Sequence, residues 1–384
     1  MNGTLGRPIR MGLIGGAGGF IGRVHAAAAL RDHRCEIVAG ALSTDAGRSA
    51  AAAKELGIPR SYATLEELLE SREKDGPIDF VTIATPNHLH YPMARAALEA
   101  GLDVVCDKPM TIRPEHARDL AQRVEASDRI FALSHNYSGY PMIREARELV
   151  RSGDIGEIRA IRATYIQGWM CAIEPGDTPE RGQWKTDPRK TGAAATLNDV
   201  GTHAFQLASY ITGLTPRRVS SHLRSFHPDR ELDDYGHALV EFEEGADAMI
   251  TVSQITHGRL NDLEIQVDGT KASLTWRQEQ PETLTVKRTG QPVQIYERSP
   301  SPDYLTGAAQ SAARIPSGHP EGFIDAFANV YAAFFDDLAR RAEGKSFGGR
   351  DTVYPNVFDG VEGVEFVTQA VASSEEDGAW KMFN

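Results

Sequence analysis

The sequence predicts an α/β protein in two parts: an amino-terminal parallel sheet covered by helices, and a carboxy-terminal α+β domain with a large, mainly antiparallel sheet. From residue 9 to about residue 135, short apolar runs alternate with helical patterns, which is typical of parallel strands joined by crossover helices. Beyond this region the apolar runs become longer and are separated by turn-forming Gly, Asp and Pro residues, which is typical of antiparallel strands. We therefore expect two domains, 1–136 and 137–384.

The amino-terminal elements alternate between strand and helix. In order, the predicted segments are IRMGLIG, IGRVHAAAAL, CEIVAGAL, AGRSAAAAKELG, IDFVTIAT, YPMARAALEAG, DVVCDKP, EHARDLAQRVEAS and RIFALSHN. In the helical segments the apolar residues recur at the period of an amphipathic helix.

The second part begins with the predicted helix IREARELVRSG. Its strand-rich segments are EIRAIRATYIQGW, HALVEFEEGADAMITVSQIT, LEIQVDGTKASLTW and ETLTVKRTGQPVQIYER, and its later helices are GFIDAFANVYAAFFDDLARRAEG and PNVFDGVEGVEFVTQAVASS. If helices cover one face of the large sheet, the other face must be polar or buried. Because HALVEFEEGADAMITVSQIT carries many apolar positions, we expect a homo-oligomer that buries this face.

Composition disfavours several classes of function. The chain has 384 residues, of which 41% are hydrophobic and 24% charged, as in ordinary globular proteins. A net charge of -12 argues against general binding to nucleic acid or to an anionic membrane, because both repel an acidic protein. The amino terminus lacks the apolar core of an export signal, and no window is apolar enough for a membrane span, so we expect neither export nor insertion. Three separated cysteines without a CxxC pair fit a reducing cytoplasm.

The first predicted strand runs into GLIGGAGGFIGRVH, a glycine-rich turn at the start of a helix. Gly16, Gly19 and Gly22 form a GxxGxxG spacing, and a strict GxGxxG from Gly16 would need glycine in place of Ile21. Glycines between a strand and a helix let the backbone approach a pyrophosphate at the helix amino terminus. The turn therefore predicts a dinucleotide-binding site. Its predicted contact residues are Gly16, Gly18, Gly19, Phe20 and Ile21.

The second predicted strand ends in VAGALSTDAGRS, where dinucleotide sites contact the adenosine ribose. NAD sites usually carry an acid here, whereas NADP sites avoid the acid and supply Arg. Ser43 is neither, and Asp45 lies slightly past the expected position, where it can cap the helix that contains Arg48. We expect NAD, because Ser43 can form one hydrogen bond to a ribose hydroxyl and no Arg follows it directly. NADP is the alternative, with Arg48 as its candidate phosphate ligand.

The segment ATPNHLHYP follows the third predicted strand, where a helix begins, so its backbone amides can face a cofactor. His88 and His90 are two residues apart and do not share a helix face, which argues against a metal site. We predict no metal, and we assign Thr85, Asn87 and His90 to cofactor binding.

Two further segments carry ionisable side chains among apolar neighbours. The strand DVVC ends in Asp107, Lys108 and a proline that prevents further pairing, which places Lys108 at a carboxyl end, where ligands bind in open α/β sheets. In LNDVGTHAFQLASYITG, a helix would place Asp199 and His203 on one face. Taken alone, this pair is more typical of a helix-terminal acid and a core histidine. Gly201 between them lowers helix propensity, which is easier to understand if something approaches the backbone there.

Together these motifs resemble the Gfo/Idh/MocA oxidoreductases, named for glucose-fructose oxidoreductase and inositol dehydrogenase. The chain shows GGAGGFIGRVH, then CDKP as a variant of the family's Glu-Lys-Pro signature, then NDVGTH in the place of its Asp-x-x-x-His motif. The resemblance implies a Rossmann-type first domain and a tetramer. It also implies that Lys108 lies between cofactor and substrate, that His203 is the acid/base and that Asp199 holds a polyol. Asp107 stands where the family usually has Glu, and we assign Asp107 and Lys108 to cofactor contacts as well.

The activity implied is the NAD(P)-dependent oxidation of a secondary hydroxyl of a sugar, sugar derivative or cyclitol. Two alternatives stay open: an NAD-dependent glycosidase with transient oxidation, and a non-catalytic regulator that keeps the cofactor fold. A regulator would not need Lys108, Asp199 and His203. An aromatic wall with hydrogen-bonding groups suits a sugar ring, although each candidate is equally typical of a structural role. The candidates for substrate binding are Asn136, Tyr137, Gln167, Trp169, Trp184, Lys185 and His319.

Overall fold

The described chain divides into two compact units. The computed structural model describes residues 6–173, 187–301 and 303–384. The first unit combines the chain up to Thr111 with Glu115–Gly139 and Phe323–Val361, and the second combines Ile112–Pro114, Tyr140–Gly322 and Glu362–Asn384. Segment 323–361 therefore packs with the first unit, although it follows most of the second unit in sequence. The functional boundary expected after residue 136 stays a prediction.

A parallel sheet forms the first unit, as the sequence predicted. Its strands are β1 (Ile9–Gly15), β2 (Cys35–Ala41), β3 (Phe80–Ala84), β4 (Asp103–Cys106) and β5 (Phe131–Leu133). Their order is β2-β1-β3-β4-β5, and every pairing is parallel. The residues of β3 and β4 are buried throughout, as expected of strands with helices on both faces. The strand order reverses between β1 and β3, and in such sheets ligands bind beyond the carboxyl ends at this point.

Helices connect the strands and complete both cores. Those of the described chain are α1 (Phe20–Leu30), α2 (Ala46–Glu55), α3 (Leu65–Lys74), α4 (His90–Glu99), α5 (Pro114–Glu125), α6 (Pro141–Arg151), α7 (Pro188–Thr191), α8 (Thr202–Thr212), α9 (Gly307–Ala312), α10 (Phe323–Ala342) and α11 (Val357–Glu375). None of these helices is long and apolar enough to cross a membrane. In the first unit, Phe80 of β3 packs against Phe334 and Phe335 of α10, with ring centroids 5.1 and 5.7 Å apart. The core of the parallel sheet is thus closed by a helix from the carboxy-terminal part of the chain.

A large mixed sheet forms the second unit. Its strands are β6 (Ile158–Ile166), β7 (Pro216–Arg224), β8 (Tyr235–Phe242), β9 (Asp247–Ser253), β10 (Asp262–Gly269), β11 (Ser273–Arg277), β12 (Thr283–Lys287), β13 (Gln294–Glu297) and β14 (Lys381–Met382). Their order is β13-β12-β11-β10-β6-β9-β8-β7-β14. The pairing of β6 with β9 is parallel, and the other pairings are antiparallel, so the predicted mainly antiparallel sheet is confirmed.

The two faces of this sheet differ. Helices α6 and α8 pack on one face, and the strands alternate buried and exposed residues accordingly. On the opposite face, Leu239 of β8 and Met249 of β9 are direct neighbours and are 48% and 46% exposed. Arg162, which is opposite Met249 in the register, forms an ion pair with Asp268. This face therefore carries an exposed apolar pair among charged residues.

Candidate active site

A tight glycine turn joins β1 to α1. Gly16 has a φ angle of +88°, in the left-handed region that favours glycine. A Cβ atom on Gly16 would lie 2.7 Å from Cα of Gly22, so α1 passes directly over the end of β1. Gly19 is the N-cap of α1, and Phe20 and Ile21 are its first residues, whose amides have no intrahelical acceptor. The turn thus presents backbone N–H groups of the kind that bind a pyrophosphate.

The guanidinium group of Arg48 lies close to this turn. A Cβ atom on Gly18 would lie 3.6 Å from Nη2 of Arg48. Ser43 follows β2 and is half-buried, and its hydroxyl accepts a hydrogen bond from Asp45 N at 3.2 Å. Asp45 caps α2 by accepting from Arg48 N at 2.7 Å, as the sequence predicted. The position of Arg48 supports its candidacy as a cofactor ligand.

His90 connects the loops that follow β3 and β4. Its Nδ1 lies 2.7 Å from the carbonyl oxygen of Pro109, and its Nε2 lies 2.8 Å from the carbonyl oxygen of Thr85. The ring is fully buried, and burial lowers the pKa of His90 although the nearby charge of Asp107 opposes this. Both ring nitrogens therefore contact backbone carbonyl groups, and one of these groups belongs to Pro109, the residue that follows Lys108.

Asp107 contacts the same backbone segment through the amide of Lys108. Its Oδ1 accepts from Ser134 Oγ at 2.6 Å and from Lys108 N at 2.9 Å, and it lies 3.8 Å from Nε2 of His25. Burial alone would raise the pKa of Asp107, but the contacts with His25, Lys108 and Ser134 outweigh burial and lower it. Asp107 is therefore ionised at neutral pH. The acid at the end of β4 fixes the main chain that carries Lys108.

Two buried histidines near Asp107 and Lys108 were missed by sequence reasoning. His25 Nδ1 lies 2.8 Å from the hydroxyl of Tyr331, which lies 3.0 Å from Oγ1 of Thr82. His135 is 2% exposed, and burial together with the charge of Lys108 lowers its pKa to about 3. Both histidines lie in apolar segments, GRVHAAAAL and RIFALSHN. The one sequence signal that could have identified them was a polar residue at a position expected to be buried.

Several buried polar atoms at this edge of the sheet have no hydrogen-bond partner among the described residues. They are Thr85 Oγ1 and His88 Nδ1, after β3, and Asn136 Nδ2, after β5. Asn87, in the short turn between Thr85 and α4, is also buried. Unpaired buried polar groups are rare in native proteins unless a ligand or water satisfies them. Together with the glycine turn, these atoms fit a dinucleotide. No grouping of His, Cys, Asp or Glu among the described residues could hold a metal ion.

In the second unit, Asp199 and His203 lie on consecutive turns. Asp199 belongs to a π-helical turn, Leu197–Gly201, and His203 is the second residue of α8. A Cβ atom on Gly201 would lie 2.7 Å from Cδ1 of Leu197. The side chain of Leu197 therefore packs against Gly201, and a larger residue at this position would require Leu197 to shift. π-Helical turns are rare and are frequent at functional sites.

Asp199 is part of a polar network. Its Oδ2 accepts a hydrogen bond from Gln254 Nε2 at 2.9 Å, and the same amide nitrogen donates to Gln167 Oε1 at 3.1 Å. Gln167 Nε2 donates in turn to Asn261 Oδ1 at 2.8 Å. Gln167 was predicted as a substrate contact, and both ends of its amide are engaged by protein atoms. Sequence reasoning missed Gln254 and Asn261, because only the strand pairing brings them to Gln167.

Asp233 holds the start of the π-helical turn. Its carboxylate accepts from Ala195 N at 2.6 Å and from Leu197 N at 2.7 Å. Burial raises the pKa of Asp233 to about 6, although these two N–H groups oppose the shift. The charge at this helix terminus therefore changes just below neutral pH.

The remaining substrate candidates have different surroundings. Tyr137 is 3% exposed, and its ring packs edge-on against Phe323 with centroids 6.3 Å apart, which is a structural contact. His319 lies in an exposed turn, where its carbonyl oxygen accepts a hydrogen bond from a buried arginine. Trp169 is 41% exposed. Trp184 and Lys185 lie outside the described residues.

Comparison with known proteins finds the same architecture. Residues 9–135 match the family model described as an oxidoreductase family with an NAD-binding Rossmann fold, and residues 143–275 match the GFO/IDH/MocA C-terminal domain. An uncharacterized oxidoreductase of Bacillus subtilis (strain 168) is 30% identical, over 99% of this chain and 98% of its own. Levoglucosan dehydrogenase of Pseudarthrobacter phenanthrenivorans is 27% identical, over 72% of this chain and 76% of its own. The crystal structure of an inositol dehydrogenase homolog from Azotobacter vinelandii, complexed with NADH and myo-inositol, is 34% identical. It covers 100% of this chain and 99% of its own, with a TM-score of 0.91.

Proposed function

The chain belongs to the Gfo/Idh/MocA oxidoreductases, and on that basis we propose that it is an NAD-dependent dehydrogenase that oxidises a secondary hydroxyl of a cyclitol or sugar. The observation that carries the proposal is the similarity along the whole chain to an inositol dehydrogenase homolog complexed with NADH and myo-inositol. Lys108, Asp199 and His203 support it, because these residue types can hold a hydroxyl group and move its proton.

The residues at the carboxyl edge of the parallel sheet would hold NAD. Its pyrophosphate would bind the amino end of α1 at Gly16, Gly19 and Phe20, and its adenosine ribose would bind near Ser43 and Arg48. The buried polar atoms after β3 would gain partners from the rest of the cofactor, and Asn136 after β5 would contact the substrate, the role predicted for it from the sequence. Bound NAD supplies the hydride acceptor.

The reaction we propose uses three side chains. His203 removes the proton of the substrate hydroxyl, and Lys108 stabilises the alkoxide that develops. Asp199 accepts a hydrogen bond from a further hydroxyl and so orients the polyol. His90 and Asp107 fix the backbone next to Lys108, so that its ammonium group is carried by a rigid segment. The reverse reduction uses the same groups.

We also propose that the chain assembles as a homo-oligomer, a tetramer by analogy with its family. The support is the exposed pair Leu239 and Met249 on the open face of the large sheet, since large neighbouring apolar residues on a strand face favour burial against a partner. A cytoplasmic location is part of the same proposal, and it agrees with the three unpaired cysteines.

A substrate panel tests the proposed reaction. Purified protein is incubated with NAD or NADP and with cyclitols, aldoses and glycosides, and reduced nicotinamide and released sugar are followed together. Net reduced cofactor with a cyclitol or sugar is the expected result. Free sugar without net reduced cofactor would replace the proposal by an NAD-dependent glycosidase. No turnover with any substrate, despite tight cofactor binding, would replace it by a non-catalytic regulator.

A further inference from the structure

Gln254 occupies a central place in the polar network of the second unit. It directly follows β9 and is 1% exposed. Its Nε2 donates to Asp199 and to Gln167, and its Oε1 accepts from Thr196 Oγ1 at 3.1 Å. Its backbone N–H donates to Asp234 O at 3.0 Å. The polar atoms of the side chain are thus engaged by protein, so Gln254 acts on other residues and does not itself bind a ligand.

The carboxylate of Asp199 sets the direction of this network. An ionised carboxylate only accepts hydrogen bonds, so the amide nitrogen of Gln254, and not its oxygen, must face Asp199. The second N–H of Gln254 then faces the oxygen of Gln167, which turns the nitrogen of Gln167 toward Asn261 Oδ1. The hydroxyl of Tyr165 donates to the same Oδ1 at 2.7 Å. One charge thereby fixes the orientation of three amide groups.

Burial is distributed unevenly within the network. Asp199, Gln167 and Asn261 are partly exposed, whereas Gln254 is buried among them. A buried donor with a single permitted orientation restricts the rotamer of the carboxylate it contacts.

We propose that Gln254 is a positioning residue, which holds the carboxylate of Asp199 in one rotamer for a substrate hydroxyl and couples it to Gln167. The proposal rests on the proposed function of Asp199. It makes Gln254 a determinant of turnover without direct contact to the substrate.

The substitution Gln254→Glu tests the proposal because it keeps the length of the side chain and makes its donor titratable. When protonated, the new carboxyl group donates one hydrogen bond to Asp199. When ionised, it places a second carboxylate at hydrogen-bond distance, and burial and repulsion together raise its pKa. The variant therefore loses stability as pH rises from the unfolded value of Glu, about 4.3, to the raised folded value. It loses turnover as pH rises through the folded value, where the new carboxyl group ionises.

The expected result is a ratio of variant to wild-type kcat/KM that falls by about tenfold or more between pH 6 and pH 9. Titratable groups around the network include Tyr165, His203, Asp233, Asp234 and Glu279. Wild type carries the same groups, so the ratio to wild type reports what the new carboxyl group changes. Gln266→Glu is the matched control, because Gln266 Nε2 also donates to an aspartate, Asp268 Oδ1, at 2.9 Å but lies on β10 outside the network. The ratio of kcat/KM between Gln266→Glu and wild type should stay constant from pH 6 to pH 9.

The double variant Gln254→Glu with Asp199→Asn separates positioning from stability. In this variant the contact again joins one carboxylate and one amide, but the carboxylate is now at position 254 and the amide at position 199. We expect the thermal midpoint at pH 9 to recover relative to Gln254→Glu alone, while turnover stays lost because the carboxylate has moved. Two results would overturn the positioning role. One is a Gln254→Glu protein whose stability and turnover, relative to wild type, do not change with pH. The other is a double variant that recovers turnover as well as stability. Failure of the proposed function gives a different result, because wild type itself then turns over no polyol. The thermal midpoints of wild type and the two variants would still show whether Gln254 holds Asp199.

Discussion

Replacing Asp107 by Asn removes one buried charge with almost no change in volume. In the folded protein, Oδ1 of Asp107 accepts from Ser134 Oγ at 2.6 Å and from Lys108 N at 2.9 Å. The amide oxygen of Asn can accept the same two hydrogen bonds, so the substitution leaves neither donor unpaired. His25 Nε2 lies 3.8 Å from Oδ1, which is longer than a hydrogen bond, but this contact also lowers the pKa of Asp107, so the two hydrogen bonds give a lower bound for the loss of stability.

The loss of stability follows from the weakening of these two bonds. A hydrogen bond to a charged group contributes about 1.5–3 kcal/mol and a neutral one about 0.5–1.5 kcal/mol. Each bond therefore loses about 1 kcal/mol, and we expect the free energy of unfolding to fall by about 2 kcal/mol at pH 7. Because the pKa of Asp107 is lowered in the folded state, its stabilising contribution is present above the unfolded pKa of about 3.9 and is lost as pH falls through the folded value. The difference between wild type and Asp107→Asn should therefore shrink below about pH 4.

Urea denaturation of both proteins at pH 7, 5 and 3.5 measures this difference. Asp303→Asn makes the same atomic change at an exposed carboxylate and should alter the free energy of unfolding by less than about 0.5 kcal/mol. An Asp107→Asn protein as stable as wild type at pH 7, or a difference that grows on acidification, would refute the reasoning. Either result would mean that the carboxyl group is not held in its ionised form.

Three sets of substitutions test the catalytic, cofactor and assembly proposals. Lys108→Ala and His203→Ala should each leave folding and dinucleotide binding nearly intact and lower turnover by about a hundredfold or more. The double variant should be little worse than the poorer single variant, and stable variants with near-normal turnover would end the assignment. Ser43→Asp should weaken NADP binding selectively through repulsion of the 2′-phosphate, measured by titration; wild type that binds NADP at least tenfold more tightly than NAD would contradict the NAD preference. Leu239→Lys combined with Met249→Lys should yield monomers in light scattering, whereas a monomeric wild type at micromolar concentration would refute the assembly proposal.

The parallel sheet was predictable because its strands are short apolar runs between clear helical segments. Helix α3 was missed although Thr64 and Glu67 carry the signature of a capping box: Glu67 N donates to Thr64 Oγ1, and Ala63 N donates to Glu67 Oε2. Strand β7 was missed for a different reason. Its buried residues include Ser221, whose amide and hydroxyl bond to Ser373 and Ala370 of α11, so the expected apolar alternation is absent.

The candidate site was predictable where a motif lies next to a strand end. The glycine turn and Lys108 are examples, because the carboxyl end of a parallel strand is a general location for ligands. The supporting contacts could not be predicted. His25 meets Asp107, and Gln254 meets Asp199, only through strand and helix packing between distant segments. Such contacts leave no periodicity or spacing in the sequence.

Because α10 belongs to the first unit, the ribosome makes the last piece of that unit after nearly all of the second. Until the residues near 331–335 emerge, Phe80 lacks its two aromatic neighbours on α10, and His25 lacks the hydroxyl of Tyr331. During synthesis the core of the first unit therefore stays incomplete, with apolar surface open to chaperones, until α10 has emerged. A gene fragment that ends after the fifth parallel strand would encode an incomplete core, so this nucleotide-binding module cannot be transplanted by cutting the chain at one place.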